Sequence, residues 1–387
     1  MDQLSLFAGR MPQLFSVVDA INQRGQHVLL YGERGVGKTS LANIISEVFV
    51  VGEKPLWSVK VNCNTTDDYH SLWHNIFREI GREPDFQQQW TESPPEAEDV
   101  RFLLQGLDER LLIVIDELDR LEDQEALSQL ADTIKTLSDH SVDVTLVLVG
   151  VADSIDELIG DHRSVERALT QVAIQRMSID ELSEIIEKGL ERLEMTISSE
   201  AKFRIARLSE GLPHYTHLLT LNAAQRAVMD DRTVLAESDI EGAVENAVDK
   251  AAHSIRNAYQ VATRSPRAES QFAEVLLACA LAPKDELGYF NASAVRAPLS
   301  KIMGRQREIP AFAKHLNKFT EPSRGCVLQK IGEPRRYFYR FENPLLQPFV
   351  VLNGLATNLI SEELLVELQD AARGQSGEGG TLSLGLG

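Results

Sequence analysis

What this sequence has little of narrows its class first. Only three cysteines occur in 387 residues: Cys63, Cys279 and Cys326. They lie far apart, none forms a CxxC pair, and none joins a Cys/His cluster of metal-ligand spacing, so neither a disulfide scaffold nor a zinc site is expected. Three reduced and mostly buried thiols are the expectation instead. No run approaches the roughly 18 uninterrupted apolar residues of a membrane-spanning helix, and the opening MDQLSLFAGR lacks the basic flank and apolar core of a secretory signal. A cytoplasmic chain without membrane contact is therefore expected.

What is present is the balance of a globular protein, 43% hydrophobic and 25% charged, long enough for two or three domains. A net charge of −19 would argue against a nucleic-acid partner if it were uniform, and it is not. Residues 1–250 carry 23 basic against 45 acidic side chains, 251–345 carry 15 against 8, and 346–387 carry 1 against 5. The basic charge is concentrated in one C-terminal segment.

From Gln26 to about Ile174, short β-branched runs (HVLLYG, LWSVKVNC, LLIVID, VTLVLVG, LTQVAI) alternate with amphipathic stretches. Continuous apolar strands separated by helices predict an α/β fold, a parallel sheet covered on both faces. The acidic, Pro- and Gln-rich stretch at 81–99 reads as an exposed loop leading into a helix at 96–106. Within that α/β stretch Trp73 and Phe77, four residues apart, read as helix core. From Ser178 to about Asp249 helical spacing takes over, opened by a Ser178/Glu181 capping box. Ser254–Arg267 contains an expected linker with Ser265-Pro266 as breaker. Beyond it come three helical stretches and two β-like runs, CVLQKI and YFYRF, an order that resembles a winged-helix domain. The Gly/Ser-rich tail is expected to be disordered.

Two motifs carry chemistry. Gly32-Glu33-Arg34-Gly35-Val36-Gly37-Lys38-Thr39 matches G-x-x-x-x-G-K-[ST], directly after an apolar strand and directly before a helix. Glycines at 32, 35 and 37 let the backbone curl so that its N–H groups, those of Val36 and Ser40 included, face phosphate oxygens. Lys38 would reach the β- and γ-phosphates and Thr39 would ligate Mg²⁺. The second motif, LLIVIDELD at 111–119, is a buried strand presenting Asp116, suited to hold Mg²⁺ through water, and Glu117, suited to polarise an attacking water. That pair predicts hydrolysis as well as binding. Asp119, Glu122, Asp123 and Glu125 read as a solvated helix start.

On these residues the sequence resembles the AAA+ ATPases, closest to the clade of origin-recognition-type initiators and bacterial STAND-like ATPases, over nearly the whole chain. The resemblance implies ATP rather than GTP, and no N-K-x-D guanine motif follows the strand of the second motif. It also implies a domain order: an AAA+ core at 1–177, a helical lid at 178–253, a linker at 254–267, a winged helix at 268–358, and a C-terminal helix with tail at 359–387. Phe7-Ala8-Gly9-Arg10 resembles the F-x-G-R box that lies beside the adenine, placing Gly9 and Arg10 at the nucleotide. The residues alone also allow an ordinary N-terminal turn there. The fourth strand leads to the sensor 1 position, where the family's Asn is missing and Asp153 or Ser154 stands in. DHRSVERAL precedes the last strand where the family holds its arginine finger, and Arg167 matches best, Arg163 second. The alternative for Arg167 is a surface pair with Glu166. GLPHYTHLL resembles the sensor 2 segment with His214 in place of the usual Arg. His214 and His217 lack a third metal ligand, so packing or nucleotide contact is the expectation.

In the basic segment, Lys314 and Lys318 fall one turn apart on one helix. Lys330, Arg335, Arg336 and Arg340 decorate the hairpin, with Tyr337 and Tyr339 interleaved. Such an array can neutralise phosphates of double-stranded DNA. The same surface could instead dock a partner protein or the chain's own acidic domain. The expected function is an ATP-hydrolysing switch or assembly factor that binds ATP and Mg²⁺, forms homo-oligomers through its arginine finger and engages DNA. The alternative is a STAND-like signalling ATPase of mobile-element or antiphage type whose C-terminal half binds an effector protein.

Overall fold

The computed structural model describes residues 8–48, 56–84, 87, 90, 95–107, 109–151, 165–264, 271–285, 287–334 and 336–378. The chain divides into two compact units, Met1–Gln175 and Arg176–Gly387.

The first unit is built on five parallel strands: β1 (His27–Tyr31), β2 (Trp57–Asn62), β3 (Leu111–Asp116), β4 (Val144–Gly150) and β5 (Leu169–Ala173), in the order β2-β3-β4-β1-β5. Every residue of β3 and β4 is buried, whereas the edge strands β2 and β5 are buried only in part. Inner strands covered on both faces favour apolar side chains, which is why their runs read as nearly continuous in the sequence. The sheet is flanked by α1 (Met11–Ile21), α2 (Lys38–Val48), α3 (Tyr69–Glu79), α4 (Ala97–Gln105) and α5 (Gln124–Asp139). Asp68 and Ser71 cap α3 reciprocally, and its Trp73 and Phe77, with ring centroids 6.0 Å apart, join Val59, Ile113, Ile134 and Leu146 in one core. Both aromatics are core, as their spacing predicts. Because β1 lies between β4 and β5, its C-terminal end sits where the strand order turns back, the usual place for a ligand in such sheets.

The second unit begins with four helices, α6 (Ile179–Glu191), α7 (Ser199–Leu208), α8 (Pro213–Met229) and α9 (Glu237–Asp249), tied by a short parallel pair, β6 (Thr196–Ile197) and β7 (Val234–Leu235). The capping box opens α6 with bonds in both directions, Ser178 N–H to Glu181 at 2.8 Å and Glu181 N–H to the Ser178 hydroxyl at 3.2 Å. The linker expected at 254–267 is helical over most of its length. α10 (His253–Thr263) covers it, because Ile255 and Ala262, seven residues apart on one face, are both buried. The breaker Ser265-Pro266 lies outside the described residues.

There follow α11 (Phe272–Leu281), β8 (Phe290–Asn291), α12 (Ala292–Ile302), α13 (Ile309–Phe319), β9 (Leu328–Ile331), β10 (Phe338–Phe341), α14 (Leu346–Ala356) and α15 (Glu362–Glu378). The two β-like runs form the expected hairpin, and the two-residue β8 adds a third strand in the antiparallel order β8-β10-β9. Cys63 and Cys279 are buried and Cys326 partly so; burial pushes the Cys63 thiol up to about 12 and raises that of Cys279. Among the described residues no helix is long and apolar enough to cross a membrane, and no His/Cys/Asp/Glu group could hold a metal ion by itself.

Candidate functional site

The loop after β1 has the backbone its glycines permit. Gly32, Gly35 and Gly37 take φ of 151°, 86° and 99°, all positive and costly for other residues. A Cβ at Gly32 would stand 2.2 Å from the Ile174 carbonyl, so close backbone approach fixes that glycine. A Cβ at Gly37 would meet nothing within 4 Å, so an open cradle lies over the start of α2. An anion suits that position, since unpaired N–H groups and the positive end of the helix dipole converge there.

Lys38 opens α2 and turns its ammonium back onto the loop, donating to the Gly32 carbonyl at 2.9 Å and the Glu33 carbonyl at 2.8 Å. Burial pushes its pKa down to about 8, against the opposing pull of Asp119 and Asp116. One residue on, the Thr39 hydroxyl donates to Asp116 Oδ1 at 3.3 Å. Strand β3 thus delivers its terminal acid to the P-loop. The two oxygen donors fit a hard cation such as Mg²⁺, which takes one or two protein oxygens and keeps several waters.

Glu117 follows in the left-handed region, at φ 57° and ψ 40°, a strained placement for a residue with a Cβ. It leaves its half-exposed carboxylate 3.0 Å from Arg120. Asp119 is not part of a solvated helix start. Its side chain is only 14% exposed, lies in the short 3₁₀ turn Leu118–Arg120, and pairs at 2.6 Å with Arg34 of the P-loop. Asp123, by contrast, caps α5, accepting from the Glu125 N–H at 2.9 Å.

Gly9 and Arg10 are consecutive left-handed residues, at φ 64° and 63°. The buried Arg10 guanidinium donates to the Val36 carbonyl at 3.3 Å and to the Gln175 carbonyl, so the segment before α1 is anchored on the P-loop. Arg167 is exposed on the 3₁₀ turn Glu166–Ala168 that enters β5, where its carbonyl accepts from Gln26 at 3.2 Å. Leu169 pairs with His27, which places Arg167 at the strand-start end of the sheet, opposite the P-loop end. Phe7, Asp153, Ser154, Arg163 and Arg335 lie outside the described residues.

Within the second unit, His214 is exposed on the first turn of α8, its ring edge-on to Tyr215. Lys314, Lys330 and Arg336 are exposed, and Lys318 and Arg340 partly so. The hairpin and α13 are joined through Asn317, whose Oδ1 accepts from Lys330 at 3.4 Å and from the Tyr339 hydroxyl at 3.5 Å. Lys330 also lies over the Tyr337 ring, and Arg340 over Tyr289 while donating to Gln329 at 2.6 Å.

The sequence reading missed Lys60. On β2 its ammonium is 2.8 Å from Asp116 Oδ2 and 2.9 Å from Asn43 Oδ1 on α2. A single charged residue in the apolar run SVKVN was the available signal. The Arg34–Asp119 pair was also missed, because its nearness exists only once the loops after β1 and β3 are brought together, and so was Arg120, a local i,i+3 partner of Glu117.

Comparison with known proteins agrees with this geometry. Residues 21–159 match the family described as AAA domain. The chain is 27% identical over 253 residues to the Holliday junction branch migration complex subunit RuvB of Flavobacterium johnsoniae, covering 61% of this chain and 63% of that protein. It is 24% identical over 172 residues to the ORC1-type DNA replication protein 2 of Thermoplasma acidophilum, covering 44% and 42%. These matches span less than two thirds of either relative's length. Among solved structures, a Walker-type ATPase of Pyrococcus abyssi shares the fold with a TM-score of 0.53 at 15% identity, over 89% of this chain and 96% of that one. The P-loop, the acid-tipped β3 and the sheet order thus lie in one unit, and residues 21–159 of that unit match the AAA domain.

Proposed function

We propose that this protein is an ATP-hydrolysing switch that assembles as a homo-oligomer and engages double-stranded DNA. The observation that carries the reading is the glycine cradle at the start of α2 with Thr39 3.3 Å from Asp116. In it the loop amides from Gly32 to Ser40 and the Lys38 ammonium hold the phosphates, and Gly9 and Arg10 lie on the adenine side. Thr39 and Asp116 would hold Mg²⁺, which would offset phosphate charge there. Glu117 takes the proton of the water that attacks the γ-phosphorus, and ADP and phosphate leave.

Arg167 fits a finger acting between subunits. Its turn lies at the far end of β5 from its own P-loop, so the nucleotide it serves belongs to another copy. Arg163, Asp153 or Ser154, and His214 complete the finger and sensors in this reading. Helices α11 to α13 with the sheet β8-β10-β9 are read as the winged helix of a domain at 268–358, following a core at 1–177 and a lid at 178–253. The curated relatives are named for junction migration and DNA replication, and Lys314, Lys318, Lys330, Arg335, Arg336 and Arg340 supply the cations for phosphate contact. A cytoplasmic location belongs to the same reading.

The test is ATP turnover with and without duplex DNA, at low and moderate salt. Lys38→Ala is expected to lose nucleotide binding. Glu117→Gln should keep binding and lose turnover by about 10²–10⁴-fold. DNA should stimulate the wild type, and added salt should remove the stimulation. Wild-type turnover in Glu117→Gln would remove Glu117 from the mechanism. Turnover indifferent to DNA would replace DNA with an effector protein as the partner.

A further inference from the structure

Asp116 is 2% exposed, and its two carboxylate oxygens are committed to different neighbours. Oδ1 accepts from the Thr39 hydroxyl at 3.3 Å and from the Glu117 N–H at 2.8 Å. Oδ2 takes the Lys60 ammonium at 2.8 Å. Lys60 is itself held, since its Nζ donates to Asn43 Oδ1 at 2.9 Å on the first turns of α2. Register explains the reach. Asn62 of β2 pairs with Asp116 and Lys60 with Val114, so Lys60 and Asp116 are two residues out of step and share one face of the sheet.

A lysine that is the one charged residue of its strand, 29% exposed, is not there for packing. Removing one member of a buried ion pair leaves the other charge uncompensated and destabilises the fold. A carboxylate with Oδ2 pinned also cannot turn freely about its last torsion. Its Oδ1 is therefore kept on the Thr39 side, where the proposed metal position lies.

We infer that Lys60 is the positioning residue of the metal-binding acid, a built-in cation that fixes the rotamer of Asp116 and balances its charge on the side away from Thr39. The inference rests on the reading of Thr39 and Asp116 as the Mg²⁺ site. It follows that the Lys60 charge and the metal charge act on one carboxylate from two sides. A protein lacking Lys60 depends more on the metal for its stability than the wild type does, because the uncompensated Asp116 charge outweighs the entropy of one freed torsion.

The experiment is thermal unfolding of the full chain and of Lys60→Met, Lys60→Arg, Asp116→Asn and the Lys60→Met/Asp116→Asn double variant. Each is measured alone, with Mg²⁺ and a non-hydrolysable ATP analogue, and with the analogue plus EDTA. Lys60→Met is expected to lower the ligand-free midpoint by about 5–10 °C, and Lys60→Arg by less than half of that. In the Asp116→Asn background the Lys60→Met loss should largely disappear. The midpoint gained from Mg²⁺, analogue with metal minus analogue with EDTA, should be at least about twice as large in Lys60→Met as in the wild type. Should Lys60→Met fail to fold, Lys60→Gln takes its place in the same comparison. An equal Mg²⁺ gain in both proteins, or a loss undiminished by Asp116→Asn, would overturn the role and leave Lys60 as packing. A wild type that binds the analogue with no Mg²⁺-dependent gain would remove the metal site, and the positioning role with it. A wild type that does not bind the analogue at all would instead overturn the nucleotide reading.

Discussion

His27 shows how one residue on β1 ties the fold to pH. It is fully buried, its Nδ1 accepts from the Leu146 N–H at 3.0 Å, and burial pushes its pKa from 6.5 down to about 4. Above pH 6.5 the ring is neutral both folded and unfolded and contributes no pH dependence. Below it the unfolded chain takes up a proton that the folded one refuses, so stability is lost as pH falls from 6.5 towards 4. The loss amounts to about 2 kcal/mol by pH 5 and about 3 kcal/mol at the lower limit. His27→Gln keeps an acceptor for Leu146 and removes the titration. Urea unfolding of the two proteins at pH 7 and pH 5 should show a fall about 2 kcal/mol smaller in the variant. Equal falls would mean that other groups carry the acid sensitivity. The chemistry-bearing residues were legible at this scale wherever a motif has fixed spacing, as with Lys38, Thr39 and Asp116. Lys60, Asp119 and His27 were not legible as partners, because their partners are 56, 85 and 119 residues away.

Among the elements, α15 was expected only as a C-terminal helix, and its role comes from what it touches. Glu362 pairs with Arg204 and Asp370 with the buried Arg207 of α7, and Glu367 is 2.6 Å from Lys301 of α12. Between them Gln369 donates to Glu210 at 2.6 Å, while Gln347 of α14 holds the other Glu210 oxygen at 3.1 Å and the Ala280 carbonyl at 2.9 Å. One helix therefore bridges the four-helix segment and the helices around the β8-β10-β9 sheet. Deleting residues 362–387 uncovers Arg207 and half-empties the Glu210 pair. We expect amide exchange in Ser199–Leu208 to quicken by about 10–100-fold, the equivalent of one to two lost charge-assisted hydrogen bonds. Unchanged exchange there would make α15 an ornament of the fold. Sequence periodicity found most of the helices and all five strands of the first unit, since each is specified by its own residues. It missed α1 and α14 and the two-residue strands β6, β7 and β8, too short to show a period, and it read 254–263 as linker where tertiary burial of Ile255 and Ala262 makes a helix.

For the whole molecule, the uneven charge sets what kind of contact with DNA is possible. Residues 1–250 are net −22 and repel a phosphate backbone, so attraction has to come from the basic segment. Its six candidate cations are not equivalent. Lys330 is engaged with Tyr337 and Asn317, and Arg340 with Tyr289 and Gln329, whereas Lys314 and Arg336 are exposed. If each phosphate contact releases about 0.9 of a counterion, six contacts would give a salt slope of about −5, and three or four a slope near −3. We expect the smaller value for duplex binding by the ATP-bound protein, because reorienting Lys330 and Arg340 costs the contacts they already make. Lys314→Ala with Arg336→Ala should flatten the slope by about 2 and weaken binding alike on unrelated sequences, since phosphates carry no base information. Fluorescence anisotropy on two unrelated duplexes between 50 and 200 mM salt, roughly the range over which counterion release is read, measures both quantities. A slope unchanged in the double variant would move DNA contact away from this face. Sequence-dependent losses would mean that Lys314 or Arg336 reads a base edge.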